Sequence, residues 1–205
     1  MRERRPSDWI VDLTDRHGLE GQVGAALDVH QSFALLQSST NSFNKLDYQL
    51  VGPGGRLCEL ELKAKRQPLS PGWRRLRPDV DPADLFVLDE LALRKIVDAG
   101  RYAFLLVRDL PQDRWCLWSA GHLIVASRVR HGRQLTTTTV STVKGKLVFD
   151  LSEADTFKSL STALDTAAAT VRSLETRWTD IAPWPQGGRT RWTDIAPWPQ
   201  GGRTG

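Results

Sequence analysis

Apolar and polar residues change period several times along the chain, and each period names an element. Between 19 and 30 the apolar positions Leu19, Val23, Ala26 and Leu27 recur at helical spacing, so an amphipathic helix is expected behind Asp12–Asp15. Ser32–Thr40 runs from apolar to polar as a first strand, and 41–44 reads as a turn. Lys45–Val51 alternates, Gly52–Gly55 supplies a tight turn, and Arg56–Lys65 alternates again. In the last run Leu60 and Leu62 fall on one face while Glu59, Glu61 and Lys63 fall on the other. Two alternating runs joined by a Gly-rich turn predict an antiparallel hairpin.

Further along, Gln67–Asp81 carries three prolines and reads as a loop. Pro82 is expected to open a helix with Leu85, Leu88, Leu91, Ala92 and Ile96 on one face, ended by Gly100. Tyr102–Arg108 is an almost unbroken apolar run, the pattern of a central strand buried on both faces. Arg114–Trp118 follows the turn at Pro111–Asp113 as another strand. Its Trp115 and Trp118 point to opposite sides, and one of the two is expected in the core. The stretch 121–150 has no single reading, although Leu135–Val143 favours β structure and Lys146–Leu151 reads as a strand.

Ser152–Asp155 has the form of a capping box. The helix expected behind it places Phe157, Leu160, Leu164, Ala167, Val171 and Leu174 at alternating steps of three and four. Packing on the parent sheet is the favoured use of that stripe, and a homodimer through 157–174 is the alternative. The end of the chain is a duplication: Arg177–Thr190 recurs unchanged as Arg191–Thr204 and holds four of the eight tryptophans. The organisation expected is a domain over 1–175 and a flexible Trp/Pro tail over 176–205. The repeats read either as bivalent docking peptides for a protein partner or as a duplication of little consequence.

Charge refines this picture. The net charge is only +4, but Lys63, Lys65, Arg66, Arg74, Arg75 and Arg77 fall close together, and Arg128, Arg130, His131 and Arg133 form a second cluster. Such clusters suit phosphates, because each cation that neutralises one releases a condensed counterion. No stretch approaches the roughly 20 apolar residues of a membrane span, and no apolar segment follows the basic start. Cys58 and Cys116 stand far apart, as reduced cysteines of a cytoplasmic protein would. The four histidines lack metal-ligand spacing, and the Gly52–Gly55 turn opens no helix, which argues against a phosphate-binding P-loop.

Chemistry centres on Asp47, Glu61 and Lys63, with Glu20 on the preceding helix. Glu61 and Lys63 share a strand face about 7 Å apart at the strand rise. If Asp47 meets that face, two carboxylates and an ammonium converge. Two carboxylates can hold Mg²⁺, which acidifies bound water and neutralises charge building on a phosphate. Lys63 could orient the water or stabilise the charged oxygens.

The order of elements, a helix with Glu20, a strand with Asp47, a Gly-rich turn and a strand with Glu61-x-Lys63, resembles the PD-(D/E)xK, or restriction-endonuclease-like, nuclease superfamily. The resemblance covers roughly Leu19 to Arg108. Leu46 stands where the family's name has Pro. The resemblance implies an α/β fold, with a mixed β-sheet flanked by helices and a C-terminal helix. It also implies Mg²⁺ or Mn²⁺ at Asp47, Glu61 and Glu20, and phosphodiester hydrolysis, DNA being the preferred substrate. Lys65, Arg66, Arg74, Arg75 and Arg77 would then follow the active strand and hold backbone phosphates. The rival reading is a non-catalytic adaptor on the same fold that recruits a partner through its tail.

Overall fold

The alternating runs and the apolar run become adjacent strands of one sheet. The computed structural model describes residues 18–39, 45–136 and 141–179. Helix α1 covers 18–28. It is followed by β1 (Ala34–Ser38), β2 (Tyr48–Val51) and β3 (Leu57–Lys65). The β2–β3 pair is the expected antiparallel hairpin. Its turn holds Gly54 at φ 68° and Gly55 at φ 72°, a left-handed backbone that a β-carbon would penalise.

Beyond β3 the chain makes a short helix α2 (Pro71–Arg74), strand β4 (Leu85–Asp89) and helix α3 (Glu90–Asp98). It then returns as β5 (Ala103–Asp109), parallel to β3, because a crossover of this length is what a parallel pair needs. Next come β6 (Arg114–Ser119), α4 (Ala120–Val125), β7 (Arg128–Thr136), β8 (Ser141–Asp150), β9 (Asp155–Phe157) and α5 (Leu160–Thr179). The main sheet has the order β1-β2-β3-β5-β6-β9, and a smaller one the order β4-β8-β7.

Period decides the layers. On β5, Phe104 and Leu106 pack with Val23 and Leu27 of α1 and with Leu160, Leu164, Ala167 and Val171 of α5. Ala103, Leu105 and Val107 point the other way, into a second core with α3, α4 and the inner face of the smaller sheet. The fold is therefore mixed α/β, a mixed sheet flanked by helices. Each fully buried Leu or Val contributes roughly 1.5–3 kcal/mol, so the α5 stripe holds the fold together. Those residues are used inside the chain, which is the favoured of the two readings of the stripe. None of the described helices is long and apolar enough to cross a membrane.

Three expectations are corrected. Leu85–Asp89 is a strand paired with β8, and the helix begins only at Glu90. Leu85 and Leu88 fit a helical period, but Leu85-Phe-Val-Leu88 is also a continuous apolar run, and β8 offers it a ladder. Leu91, expected on the buried face, is exposed; Ala92 and Ile96 are buried as expected, and Leu93 joins them. The supposed capping box at Ser152 opens no long helix. Asp155–Phe157 adds to the edge of β6, and Ser159 caps α5 by accepting from the Thr162 N–H at 3.1 Å. Both Trp115 and Trp118 are buried, one in each core. The 41–44 turn and the duplicated segment beyond 179 lie outside the described residues.

Candidate active site

Strand geometry assembles the site. In the β2–β3 register Tyr48 faces Leu60, so one step further sets Asp47 across from Glu61. Asp47 is not mid-strand as the alternation predicts; it stands immediately before β2. Its backbone carbonyl accepts from the Ser39 N–H at 2.8 Å. Where the β2 ladder ends, Asp47 Oδ2 accepts from the Leu62 N–H at 2.7 Å and so takes the place of the missing strand partner. That bond points the carboxylate at β3.

Glu61 and Lys63 share the face of β3 that looks toward α3. Lys63 Nζ lies 2.5 Å from Glu61 Oε1 and 3.9 Å from Asp47 Oδ2, and it donates to the Leu62 carbonyl at 3.1 Å. A second ammonium arrives from α3: Lys95 Nζ lies 3.8 Å from Glu61 Oε2 and donates to the Lys45 carbonyl at 3.0 Å. The expected three residues thus converge, and Lys95, which the sequence reading missed, joins them. Nothing in the local pattern marks Lys95, since its role depends on how α3 docks against β3.

Access and charge are uneven across this group. Glu61 is 3 % exposed and Asp47 5 %, whereas the Lys63 side chain is 33 % exposed, so the cluster meets solvent at Lys63. Burial pushes the Glu61 carboxyl up; Lys63 and Lys95 pull it back, and Asp47 adds to the upward push. Glu61 Oε2 is buried without a hydrogen-bond donor, and its ion pair with Lys95 is too long to supply one. Among the described residues no group of three or more His, Cys, Asp or Glu could hold a metal ion. Two carboxylates, one with an unspent oxygen, still match the donor set of Mg²⁺, which often takes one or two carboxylates and completes its shell with water and substrate phosphate.

Glu20 is drawn to the same end of the sheet. The Tyr48 hydroxyl donates to the Glu20 backbone carbonyl at 2.6 Å, tying the start of α1 to the residue beside Asp47. Burial, and then the charges of Glu20 and Asp47, push the Tyr48 phenol well up.

The predicted phosphate-binding cations divide. Lys65 is 4 % exposed, pairs with Asp109 at 3.7 Å and donates to the Ala83 carbonyl. Arg77 is also buried, held by Asp79 at 3.0 Å and the Ser127 carbonyl at 3.0 Å. Neither cation is turned out toward a polyanion, which corrects the expectation for both. Arg74 and Arg75 are exposed, and Arg66 is half-buried. Lys65 alternates in phase with Glu61 and Lys63, so spacing alone could not tell the sealed lysine from the open one.

No family pattern matches the chain, and no curated protein is similar to it in sequence. Among solved structures it is similar to a nuclease from a fusselovirus, at 9 % identity over 81 % of this chain and 89 % of that one, with a TM-score of 0.36. A likeness at that level carries no argument about fold or function, so the geometry of Asp47, Glu61 and Lys63 must carry the functional reading by itself.

Proposed function

We propose that this chain is a metal-dependent nuclease that hydrolyses phosphodiester bonds, with DNA as the preferred substrate. The observation that carries the reading is the meeting of Asp47 and Glu61 across the β2–β3 pair. Lys63 reaches both, and one Glu61 oxygen is left without a hydrogen bond. Asp47 and Glu61 would hold Mg²⁺ or Mn²⁺, with Glu20 as a further carboxylate at the same end of the sheet. When bound, the metal supplies a more acidic water and neutralises developing phosphate charge.

The protein's own residues do the rest. The Leu62 N–H fixes Asp47, so its carboxylate needs little reorganisation on binding. Lys63 is a catalytic cation. At the solvent-facing edge of the cluster it can release Glu61 and place its ammonium against the phosphoryl oxygens as charge builds there. Lys95 is a positioning residue that holds Glu61 ionised when Lys63 moves away. Arg66, Arg74 and Arg75 would steer the backbone without reading bases.

A second reading, the non-catalytic adaptor, is favoured by one observation. The same strand already carries a sealed ionic cluster at Lys65, so charge on this face need not mean catalysis.

The test is cleavage of plasmid, branched and single-stranded DNA with Mg²⁺ or Mn²⁺ by wild type, Asp47→Ala and Lys63→Ala. Metal-dependent cutting that both substitutions abolish is the expected result. Identical traces from all three proteins, or no cutting under any condition, would sink the nuclease reading.

A further inference from the structure

Two stretches of sequence without any acidic residue meet on one face of the smaller sheet. Lys63–Pro78 holds six Lys or Arg and no Asp or Glu, and Trp115–Phe149 holds five and none. The fold joins them. Trp73 stands edge-on to His131 with ring centroids 5.5 Å apart, and Val80, Leu85 and Val148 form a small core with Trp73 and Leu76 beside it.

The backbone register of β7–β8 adds the decisive detail. It sets His131 opposite Lys146 and Arg133 opposite Lys144. Residues two apart share a strand face, so these four basic positions line one face of the ribbon, the same face as Val148. Like charges directly opposite each other on an antiparallel pair destabilise it. β4 pairs with β8 only from Lys146 to Asp150, so the outer ribbon has two strands and no third to support it. Toward the base some charge is answered: Lys146 pairs with Asp89, and Arg130 with Glu90 at 2.9 Å. Around the Trp73 loop a recess of about 350 Å³ is lined in part by Arg74, Arg75 and Arg77. The exposed side chains of Arg74 and Arg75 make no hydrogen bond or ion pair to another described residue.

We propose that the outer β7–β8 ribbon and the Arg74–Arg75 loop form one composite surface that grips the sugar-phosphate backbone of a nucleic acid. Basic residues set opposite one another in register on a two-stranded ribbon cost stability in the free protein, and phosphates that replace the repulsion recover it. A two-stranded ribbon is also a shape that B-DNA's major groove, about 12 Å wide, admits. The inference rests on the nucleic-acid class of the reading above and not on its chemistry, so it can be tested with no metal present.

The experiment is fluorescence anisotropy of the full chain on a labelled duplex in EDTA, over a range of salt. It compares wild type with Arg133→Ala/Lys144→Ala, Arg74→Ala/Arg75→Ala, and the charge-keeping Arg133→Lys/Lys144→Arg. Each alanine pair is expected to flatten the slope of log K against log salt by about 2, roughly one unit per lost phosphate contact, while the charge-keeping pair retains it. Arg133→Glu is expected to raise Tm, by pairing with Lys144, while weakening duplex binding. Unchanged slopes, loss of Tm and binding together in Arg133→Glu, or equal displacement of the duplex by phosphatidylserine vesicles would overturn the proposal. Cleavage that persists with unchanged slopes would remove this surface and leave the nuclease reading standing; binding lost in the variants of a chain that never cuts would do the reverse.

Discussion

Two ionic clusters sit two residues apart on the same face of β3. Glu61 and Lys63 belong to one, with Asp47 and Lys95; Lys65 belongs to the other, with Asp109, Arg114 and Asp84. The residue types are alike, and each cluster keeps one buried carboxylate oxygen without a hydrogen bond, on Glu61 and on Asp109. The difference is access. Asp109 is fully buried, its Oδ2 shared by Arg114 at 2.9 Å and Lys65 at 3.7 Å, and the Lys65 side chain is 3 % exposed. Lys63, one pleat earlier, is a third exposed and can leave its carboxylate for another partner. A buried ion pair that cannot open is structural; one with a solvent-facing member can be exchanged for substrate.

The sharpest way to break this comparison is to delete a carboxylate from the sealed cluster and a cation from the open one. Asp109→Ala removes the countercharge of the buried Lys65 and leaves the half-buried Arg114 with Asp84 alone. It is expected to cost about 3–5 kcal/mol in urea denaturation. Lys63→Ala should change stability by under about 1 kcal/mol, since its ion pairs border solvent. Its cleavage rate should nevertheless fall by about 10²–10³, the loss typical of a group that stabilises transition-state charge. Equal stability losses in the two variants would mean that both clusters are structural.

Glu61 sharpens the contrast within the open cluster. Its folded-state pKa is raised, chiefly by burial, so the folded chain binds this proton more tightly than the unfolded one. The associated stability is fully present below the unfolded value of about 4.3 and is lost as pH rises through the folded value. Glu61→Gln should therefore have a higher Tm than wild type near pH 7, with the gap closing toward pH 4. Adding Mn²⁺ should stabilise wild type by about 1.4 kcal/mol at ten times its Kd and leave Glu61→Gln unmoved. A wild-type Tm that ignores the ion would count against metal at this site.

The smallest expected effect concerns Lys95, whose charge pulls the Glu61 carboxyl down from 3.8 Å. Lys95→Met should raise the pH at which Glu61 ionises and move the acidic limb of the cleavage profile upward, with kcat at the plateau nearly kept. An unshifted limb would leave Lys95 with no role beyond anchoring the Lys45 carbonyl.

Much of this was legible in the sequence, for local reasons. The alternation of 57–65 and the apolar run before Asp109 gave β3 and β5 with nearly correct bounds. Leu85–Leu88 misled, because four consecutive apolar residues fit a helix face and a buried strand equally well, and only β8 chose between them. The spacing of Phe157 to Leu160 continues the helical stripe, but the edge of β6 claims Phe157 as a strand residue.

The sequence by itself determined that Glu61 and Lys63 lie on one face. A strand's period of two is a property of the backbone and needs no neighbour. It likewise determined that the stripe at 160–171 would be buried and that two acid-free basic stretches exist. Only the tertiary structure decided that Asp47 stands across from Glu61, that Lys95 reaches the same carboxylate, and that Lys63 stays open while Lys65 is sealed. It alone also brought Trp73 against His131 and so joined the two basic stretches. The physical reason is that burial and the meeting of charges depend on how distant elements pack, and spacing along a chain carries no record of that.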